Sequence, residues 1–155
     1  MCGLVGVCHL KRRGTVDGGL LERMLGMIRH RGPDELGIYR DERVGLGSAR
    51  LSVLDLKTGG QPISNEDGTV WIVYNGEVFN FVELREGLEA AGHRFSTNSD
   101  TEVIIHLYEA YGFDCVKLLN GQFAFAIWDR RPSQGEGLLF MARDRVGICP
   151  LFYTV

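Results

Sequence analysis

The chain has 155 residues, 45% of them hydrophobic and 24% charged, with a net charge of −3. That is an ordinary globular balance for one domain able to bury a sizeable core. It excludes a nucleic-acid footprint, because no basic block occurs, and no apolar run approaches the ~20 residues of a membrane-spanning helix. No basic stretch followed by a signal-type apolar run opens the chain, so a cytoplasmic address is the expectation.

The four cysteines are Cys2, Cys8, Cys115 and Cys149. None has Cys-x-x-Cys spacing, and a chain of this size needs no disulfide framework. Cys8 and His9 are adjacent, but no second ligand pair stands at zinc-like spacing, so no metal site is read here. Cys8, Cys115 and Cys149 read as small hydrophobic residues. The 21 glycines are scattered without a period, which predicts many short elements joined by tight turns and no internal repeat.

Leu4 to His9 is apolar on both faces and predicts a central strand. Cys2 stands at its tip. If Met1 is removed, Cys2 carries both a thiol and a free α-amine, whose ordinary pKa of about 7.7–8.0 lets it act as a base near neutrality. A cysteine at position two is also compatible with no role at all. From Asp17 to Arg29 the pattern is helical: Leu21, Met24, Leu25 and Ile28 form one stripe, with Asp17 as cap. Arg29-His30-Arg31-Gly32-Pro33-Asp34 breaks this helix. Its basic residues either answer the helix dipole or serve an anionic ligand or the nucleophile.

Leu36–Arg40 and Val44–Ser48 predict strands around the turn Asp41-Glu42. Arg50 to Leu56 alternates and predicts another strand, with Leu51, Val53 and Leu54 buried and Arg50 either a solvated edge residue or a ligand for a carboxylate. Lys57 to Gly68 lacks apolar periodicity and predicts a mobile surface loop. Val70–Tyr74 and Glu77–Phe79 read as a hairpin about Asn75-Gly76, the strongest short turn signal.

Asn80 to Glu83 matches a capping box for a helix carrying Phe81, Leu84 and Leu88, which stops at Gly92. His93–Phe95 reads as a short strand. Ser99 and Glu102 repeat the capping signature before Val103, Leu107, Tyr108 and Tyr111, a face ended by Gly112. Asp100 falls in that helix's first turn, where a carboxylate suits the dipole. A short helix over 114–119 and the strand Gln122–Asp129 follow. The strand's alternation of large and small residues suits close packing of two layers. Leu138–Ala142 is a return strand, and Pro150–Tyr153 begins one more. The final strand-like run reaches Val155, as in a C-terminally truncated domain. Runs of antiparallel strands with few helices predict α+β, two sheets face to face with helices outside.

A thiol that attacks an amide needs a base, an oxyanion hole and a grip on the substrate's fixed charges. The α-amine of Cys2 can be the base. Asn75 and Gly76 offer a side-chain amide and a backbone N–H. Arg50 can fork onto a carboxylate, and Asp100 with Glu77 can neutralise an ammonium.

The same residues resemble a known family. Met-Cys-Gly-Leu-Val-Gly at 1–6, Arg-His-Arg-Gly-Pro-Asp at 29–34, Arg-Leu-Ser-Val-Leu-Asp at 50–55 and Gly-Gln-Pro at 60–62 carry the likeness. Asn-Gly-Glu-Val-Phe-Asn at 75–80, Ser-Asp-Thr-Glu at 99–102, Gly-Gln-Phe-Ala-Phe-Ala at 121–126, and Ala-Arg-Asp-Arg-Val-Gly with Pro-Leu-Phe-Tyr at 142–153 continue it. In order and spacing they resemble the glutaminase domain of class II glutamine amidotransferases, in the branch of the glutamine-dependent asparagine synthetases.

The resemblance implies an N-terminal-nucleophile hydrolase fold, a four-layer αββα sandwich. It implies hydrolysis of L-glutamine to glutamate and ammonia, with Cys2 forming a γ-glutamyl thioester. Asn75 and Gly76 would form the oxyanion hole. Arg50 would hold the α-carboxylate and Asp100 the α-amine, with Leu51, Val53 and Glu77 lining the pocket and Arg31 beside the nucleophile. No cofactor or metal is implied in this domain. ATP and magnesium belong to an ATP-dependent synthetase domain, whose Ser-Gly-Gly-x-Asp-Ser signature does not occur here. In the full-length protein that domain would take up the ammonia to make asparagine from aspartate. A homodimer is compatible with the resemblance. Amidation of another acceptor, a non-catalytic glutamine-binding domain and another amide substrate stand as alternatives.

Overall fold

The apolar run behind Cys2 forms β1, Gly3–Cys8, and its partners come from the two strands about Asp41. These are β2, Glu35–Arg40, and β3, Val44–Arg50, giving an antiparallel sheet in the order β1-β3-β2. The computed structural model describes residues 2–11, 14–52 and 59–155. A second antiparallel sheet contains β4, Ile63–Ser64, β5, Val70–Val78, β6, Gly121–Asp129, and β7, Leu138–Arg143, in that spatial order.

The helix α1, Gly18–Ile28, starts where expected, because the Asp17 carboxylate accepts from Gly19 N at 3.0 Å. Its stripe buries Leu21 and Leu25 on the outer face of β1 and β3. The inner face of β3 turns Val44 and Leu46 toward Val73, Ala126 and Trp128 of the second sheet. Alternation along β6 separates two layers: Ala126 and Trp128 face the first sheet, while Phe123, Phe125 and Ile127 join the cluster beneath the remaining helices. Those are α2, Phe81–Ala90, α3, Asp100–Tyr111, and α4, Cys115–Leu118. Val103, Ile104, Ile105, Leu107 and Tyr108 of α3 are buried against β5 and β6. The layers therefore run αββα, the sandwich expected from the sequence. Among the described residues no helix is long and apolar enough to cross a membrane.

Several elements differ from the sequence expectation. Asn75-Gly76 makes no hairpin. β5 runs straight through it, with Asn75 opposite Ala124, Gly76 opposite Phe123 and Glu77 opposite Gln122. The glycine answers a close approach instead, since a Cβ on Gly76 would stand 2.2 Å from the Gln122 carbonyl oxygen. Arg50 closes β3 rather than opening a strand, and Leu51 after it is only half-buried. Val53 and Leu54 lie outside the described residues.

Of the loop expected over 57–68, Lys57 and Thr58 lie outside the described residues, and residues 59–68 are not an exposed loop. Gln61, Ile63 and Asn65 are buried there, and β4 pairs with β5. Polar side chains do the work that apolar periodicity would have announced. Gln61 Oε1 accepts from Tyr74 N at 2.7 Å, and Asn65 Oδ1 accepts from Val70 N at 3.0 Å. Asn80 does not cap α2 through its side chain; its Nδ2 donates to Leu118 O at 3.0 Å and its Oδ1 accepts from Asn120 N at 2.9 Å. Residues 93–95 and 150–153 form no strand, and Tyr111 is exposed.

After α1 the chain makes one 3₁₀ turn, Arg29–Arg31, and then passes under β3 at Gly32. A Cβ there would lie 2.1 Å from the Ala49 carbonyl oxygen. Gly32→Ala is therefore expected to lower unfolding free energy by about 1–3 kcal/mol, the usual cost of overpacking. Urea unfolding measures this, and an unchanged midpoint would show that the loop gives way freely.

Candidate active site

Two sheets and one helix bring separate parts of the sequence to a single pocket of about 150 Å³. Cys2 precedes β1, Arg50 ends β3, Asn75, Gly76 and Glu77 lie on β5, and Asp100 opens α3; all line this pocket, as does Leu51. Of the residues expected at a site, Val53 lies outside the described residues. Arg31 is not in the wall but behind it, where its Nε donates to the Cys2 carbonyl oxygen at 3.2 Å. The thiol itself accepts from Leu51 N at 3.3 Å. The loop carrying Arg31 is tied down by Asp34, whose N–H donates to Arg50 O at 3.1 Å and whose carboxylate accepts from Ser52 N at 2.9 Å.

The guanidinium of Arg50 is 6% exposed and donates to Glu35 at 3.2 Å. An arginine held by a neighbouring carboxylate keeps its fork oriented, which matters for a planar anion. Asp100 is 4% exposed and accepts from Tyr74 OH at 2.7 Å and from Val78 N at 3.0 Å, both at Oδ2. Burial still pushes its pKa above the ordinary value of 3.8, against the hydrogen bonds that favour the charged form. Glu77 is raised as well, by burial and then by the charge of Asp100. Two carboxylates that repel each other in one wall fit a cation better than they fit each other. Burial, followed by the neighbouring Asp100 charge, holds the Tyr74 phenol protonated as a donor.

Ser99 caps α3 as the sequence predicts, accepting from Thr101 N at 3.2 Å, but Glu102 turns away to Ser96 N and Thr97 N at 2.8 and 2.7 Å. Asn75 is 4% exposed, and its Oδ1 has no hydrogen-bond partner among the described residues. A buried polar atom left open on a pocket wall points to a ligand or water that completes it.

Sequence reasoning missed Gln61, Tyr74, Ser99, Thr101 and Gln122 as pocket residues. Gln61 bridges two walls, donating to Thr101 Oγ1 at 3.3 Å while holding Tyr74 N. Gln61, Ser99 and Thr101 lie inside the motifs Gly-Gln-Pro and Ser-Asp-Thr-Glu, and Tyr74 adjoins Asn75. Gln122 enters only through its register opposite Glu77.

A sequence model described as a glutamine amidotransferase domain matches residues 1–155. The chain belongs to this family. It is 47% identical over 99% of its length to asparagine synthetase [glutamine-hydrolyzing] 1 of Bacillus subtilis, and covers 24% of that protein. It is 40% identical over 98% of its length to the Zea mays asparagine synthetase [glutamine-hydrolyzing], covering 25% of it. The chain thus spans about a quarter of the length of these relatives. Among solved structures, the glutamine phosphoribosylpyrophosphate amidotransferase of B. subtilis superposes with a TM-score of 0.52 at 24% identity, over 68% of this chain and 31% of that one. That likeness concerns the fold, and it agrees with the four-layer αββα sandwich expected from the sequence.

In this amidotransferase domain the raised pKa of Asp100 has a thermodynamic sign. The folded chain holds the proton more tightly than the unfolded chain, so the contribution of the group to stability is full below 3.8 and falls as pH rises toward the folded pKa. Asp100→Asn removes the titration. Whatever its packing cost, urea unfolding should show the stability difference moving in favour of Asp100→Asn as pH rises from about 4 to 7. A difference that stays flat would mean that Asp100 is not destabilised by burial.

Proposed function

We propose that this domain hydrolyses L-glutamine to L-glutamate and ammonia through a thioester on Cys2. The observation that carries the reading is the meeting of a thiol, a buried arginine and two repelling carboxylates in one small pocket. An α-amino acid brings the complementary charges. Arg50 would fork onto its α-carboxylate, while Asp100 and Glu77 would take its α-ammonium, with Leu51 lining part of the rest. The relatives described as glutamine-hydrolysing support the choice of amino acid.

The chemistry then follows from the groups present. With Met1 removed, the Cys2 α-amine takes the thiol proton and Sγ bonds to the amide carbon. The negative charge on the carbonyl oxygen is met by the Asn75 side-chain amide and the Gly76 N–H. The tetrahedral adduct collapses by breaking the C–N bond. Ammonia leaves with the proton returned by the α-amine. Water, deprotonated by the same amine, then cleaves the thioester to release glutamate and regenerate the thiol. Arg31, through the Cys2 carbonyl, would keep the nucleophile seated and so act as a positioning residue.

We further infer that residues 1–155 are the glutaminase domain of a longer asparagine synthetase, in which an ATP-dependent synthetase domain uses the ammonia to convert aspartate to asparagine. ATP and magnesium would serve that domain, and the thiol and amine suffice for hydrolysis here. This reading entails a cytoplasmic protein with no nucleic-acid or membrane partner, and it accommodates a homodimer.

Intact mass of the purified chain should show loss of Met1, and a glutamate-release assay should then show turnover. Cys2→Ala should abolish it, and Asn75→Ala should lower kcat by about 10²–10³, the usual effect of losing one oxyanion donor. Turnover retained in Cys2→Ala, or full activity in Asn75→Ala, would sink the mechanism. Arg50→Lys should raise KM for glutamine more than it lowers kcat, because lysine cannot fork onto a carboxylate; an unchanged KM would remove Arg50 from the substrate.

A further inference from the structure

Outside the pocket, four potential ligands converge on one side of α3. We propose that Glu66, His93, His106 and Glu109 form a binding site for a zinc-type divalent metal ion. One ligand atom from each of the four lies within 4.8 Å of the others. His106 Nδ1 stands 3.0 Å from Glu109 Oε2 and 3.8 Å from Glu66 Oε2, and His93 Nδ1 is 3.9 Å from Glu109 Oε2. A tetrahedral ion with bonds of about 2.0–2.2 Å sets its ligands about 3.3–3.6 Å apart. The two longer of these separations lie close to that spacing, and closing the whole set, which spans up to 4.8 Å, needs side-chain movement at the partly exposed Glu66 and His93.

The surrounding contacts point the same way. Each carboxylate has its other oxygen occupied from outside: Glu109 Oε1 accepts from Asn65 Nδ2 at 2.7 Å, and Glu66 Oε1 accepts from Arg94 N at 3.1 Å. That leaves Oε2 of both turned inward, with Glu109 Oε2 hydrogen-bonded to His106 Nδ1 at 3.0 Å. His106 is fully buried, and its Nε2 has no hydrogen-bond partner among the described residues. This nitrogen faces Glu102 Oε1 at 3.8 Å, and that carboxylate is itself held by Ser96 N and Ser96 Oγ at 2.8 and 2.9 Å. A carboxylate thus lies behind the imidazole beyond hydrogen-bond reach, while the opposite ring nitrogen, Nδ1, faces Glu109 and Glu66. Among the described residues none of the four pairs with a lysine or arginine side chain, so a cation would answer an excess of carboxylates. Two imidazoles and two carboxylates make a borderline N/O set that suits zinc and its first-row neighbours over calcium or magnesium.

The competing account is a buried imidazolium. Burial alone would depress the His106 pKa, but Glu102 and Glu109 beside it push it up to about 9. A proton can therefore fill the same role in part, though it leaves Glu66 and His93 without a function. A metal would tie the segment after α2, the β4–β5 loop and α3 together. None of the four residues lines the glutamine pocket, so the proposal does not rest on the reaction above.

The test uses the full chain carrying Cys2→Ala, which takes the N-terminal thiol out of competition for metal. Titration of the metal-free protein with Zn²⁺ should show one tight equivalent and a raised thermal midpoint, and Co²⁺ should give the visible absorption of a tetrahedral site. His93→Gln and Glu66→Gln, both at partly exposed positions, should each weaken Zn²⁺ binding at least ten-fold while the metal-free chain stays folded. Absence of a Zn²⁺-dependent midpoint shift, or tight binding retained in both variants, would overturn the proposal and leave the imidazolium account.

Discussion

The candidate site exists because two sheets pack face to face in one fixed alignment. The first sheet carries Cys2 and Arg50, and the second carries Asn75, Gly76 and Glu77. Neither sheet holds the whole set. Val44 and Leu46 seated on Val73, Ala126 and Trp128 set the separation of the layers. Burial of each large apolar side chain there stabilises by about 1.5–3 kcal/mol. Burial alone is not directional, however. Specific contacts fix the alignment: Trp128 Nε1 donates to Asp41 Oδ2 at 2.7 Å, and Tyr39 stacks on Trp71 with ring centroids 4.3 Å apart. Each crosses from the β2–β3 hairpin to the second sheet. Asp41 is half-buried, but the N–H groups of Val44 and Arg43 and the Trp128 indole overcome its desolvation and keep its pKa low. An ionised Asp41 therefore holds both the turn and the indole.

To these two sheets α3 adds a buried carboxylate, Asp100, whose charged form packing disfavours. Ser99 caps the helix, so Asp100 is free to point at β5 rather than serve the helix terminus. Its carboxylate keeps its donors, Tyr74 and Val78 among them, yet remains destabilised by burial, and its charge in turn raises the pKa of Glu77. A fold built only for stability would place neutral groups at both positions. Keeping two carboxylates there makes sense if their missing partner is a bound cation, the usual exchange of stability for function at a site. The same helix carries His106 and Glu109 farther along, so α3 links the pocket to the histidine–carboxylate cluster.

Much of the candidate site is legible in the amino-acid sequence. Cys2, Arg50, Asn75, Gly76 and Asp100 stand out because few residue types can supply a nucleophile, a fork, an oxyanion donor and a counter-charge. Their local settings mislead more than their identities do. Asn75-Gly76 carries a turn's composition but continues a strand, because nine residues of β6 offer an uninterrupted ladder and Gly76 is needed where two backbones touch. Asp100 sits at a helix start and looks like a dipole partner, though its bonds go to β5. Residues 59–68 look like loop because Gln61 and Asn65 hold the chain by side-chain amides, a device that leaves no hydrophobic period.

Elements with a strong local period follow from the sequence alone: β1, α1, the β2–β3 pair, α2, α3, β6 and β7. There the alternation of apolar and polar residues and the caps at Asp17 and Ser99 act over a few neighbours. Whatever depends on distant segments meeting is settled only when the chain has folded. Gln122 reaches the pocket through strand register, and Gln61 through a bond to β5. Glu66, His93, His106 and Glu109 come together from positions separated by a strand and a helix. No local pattern marks such residues, since the force that places each one is exerted by a part of the chain far from it.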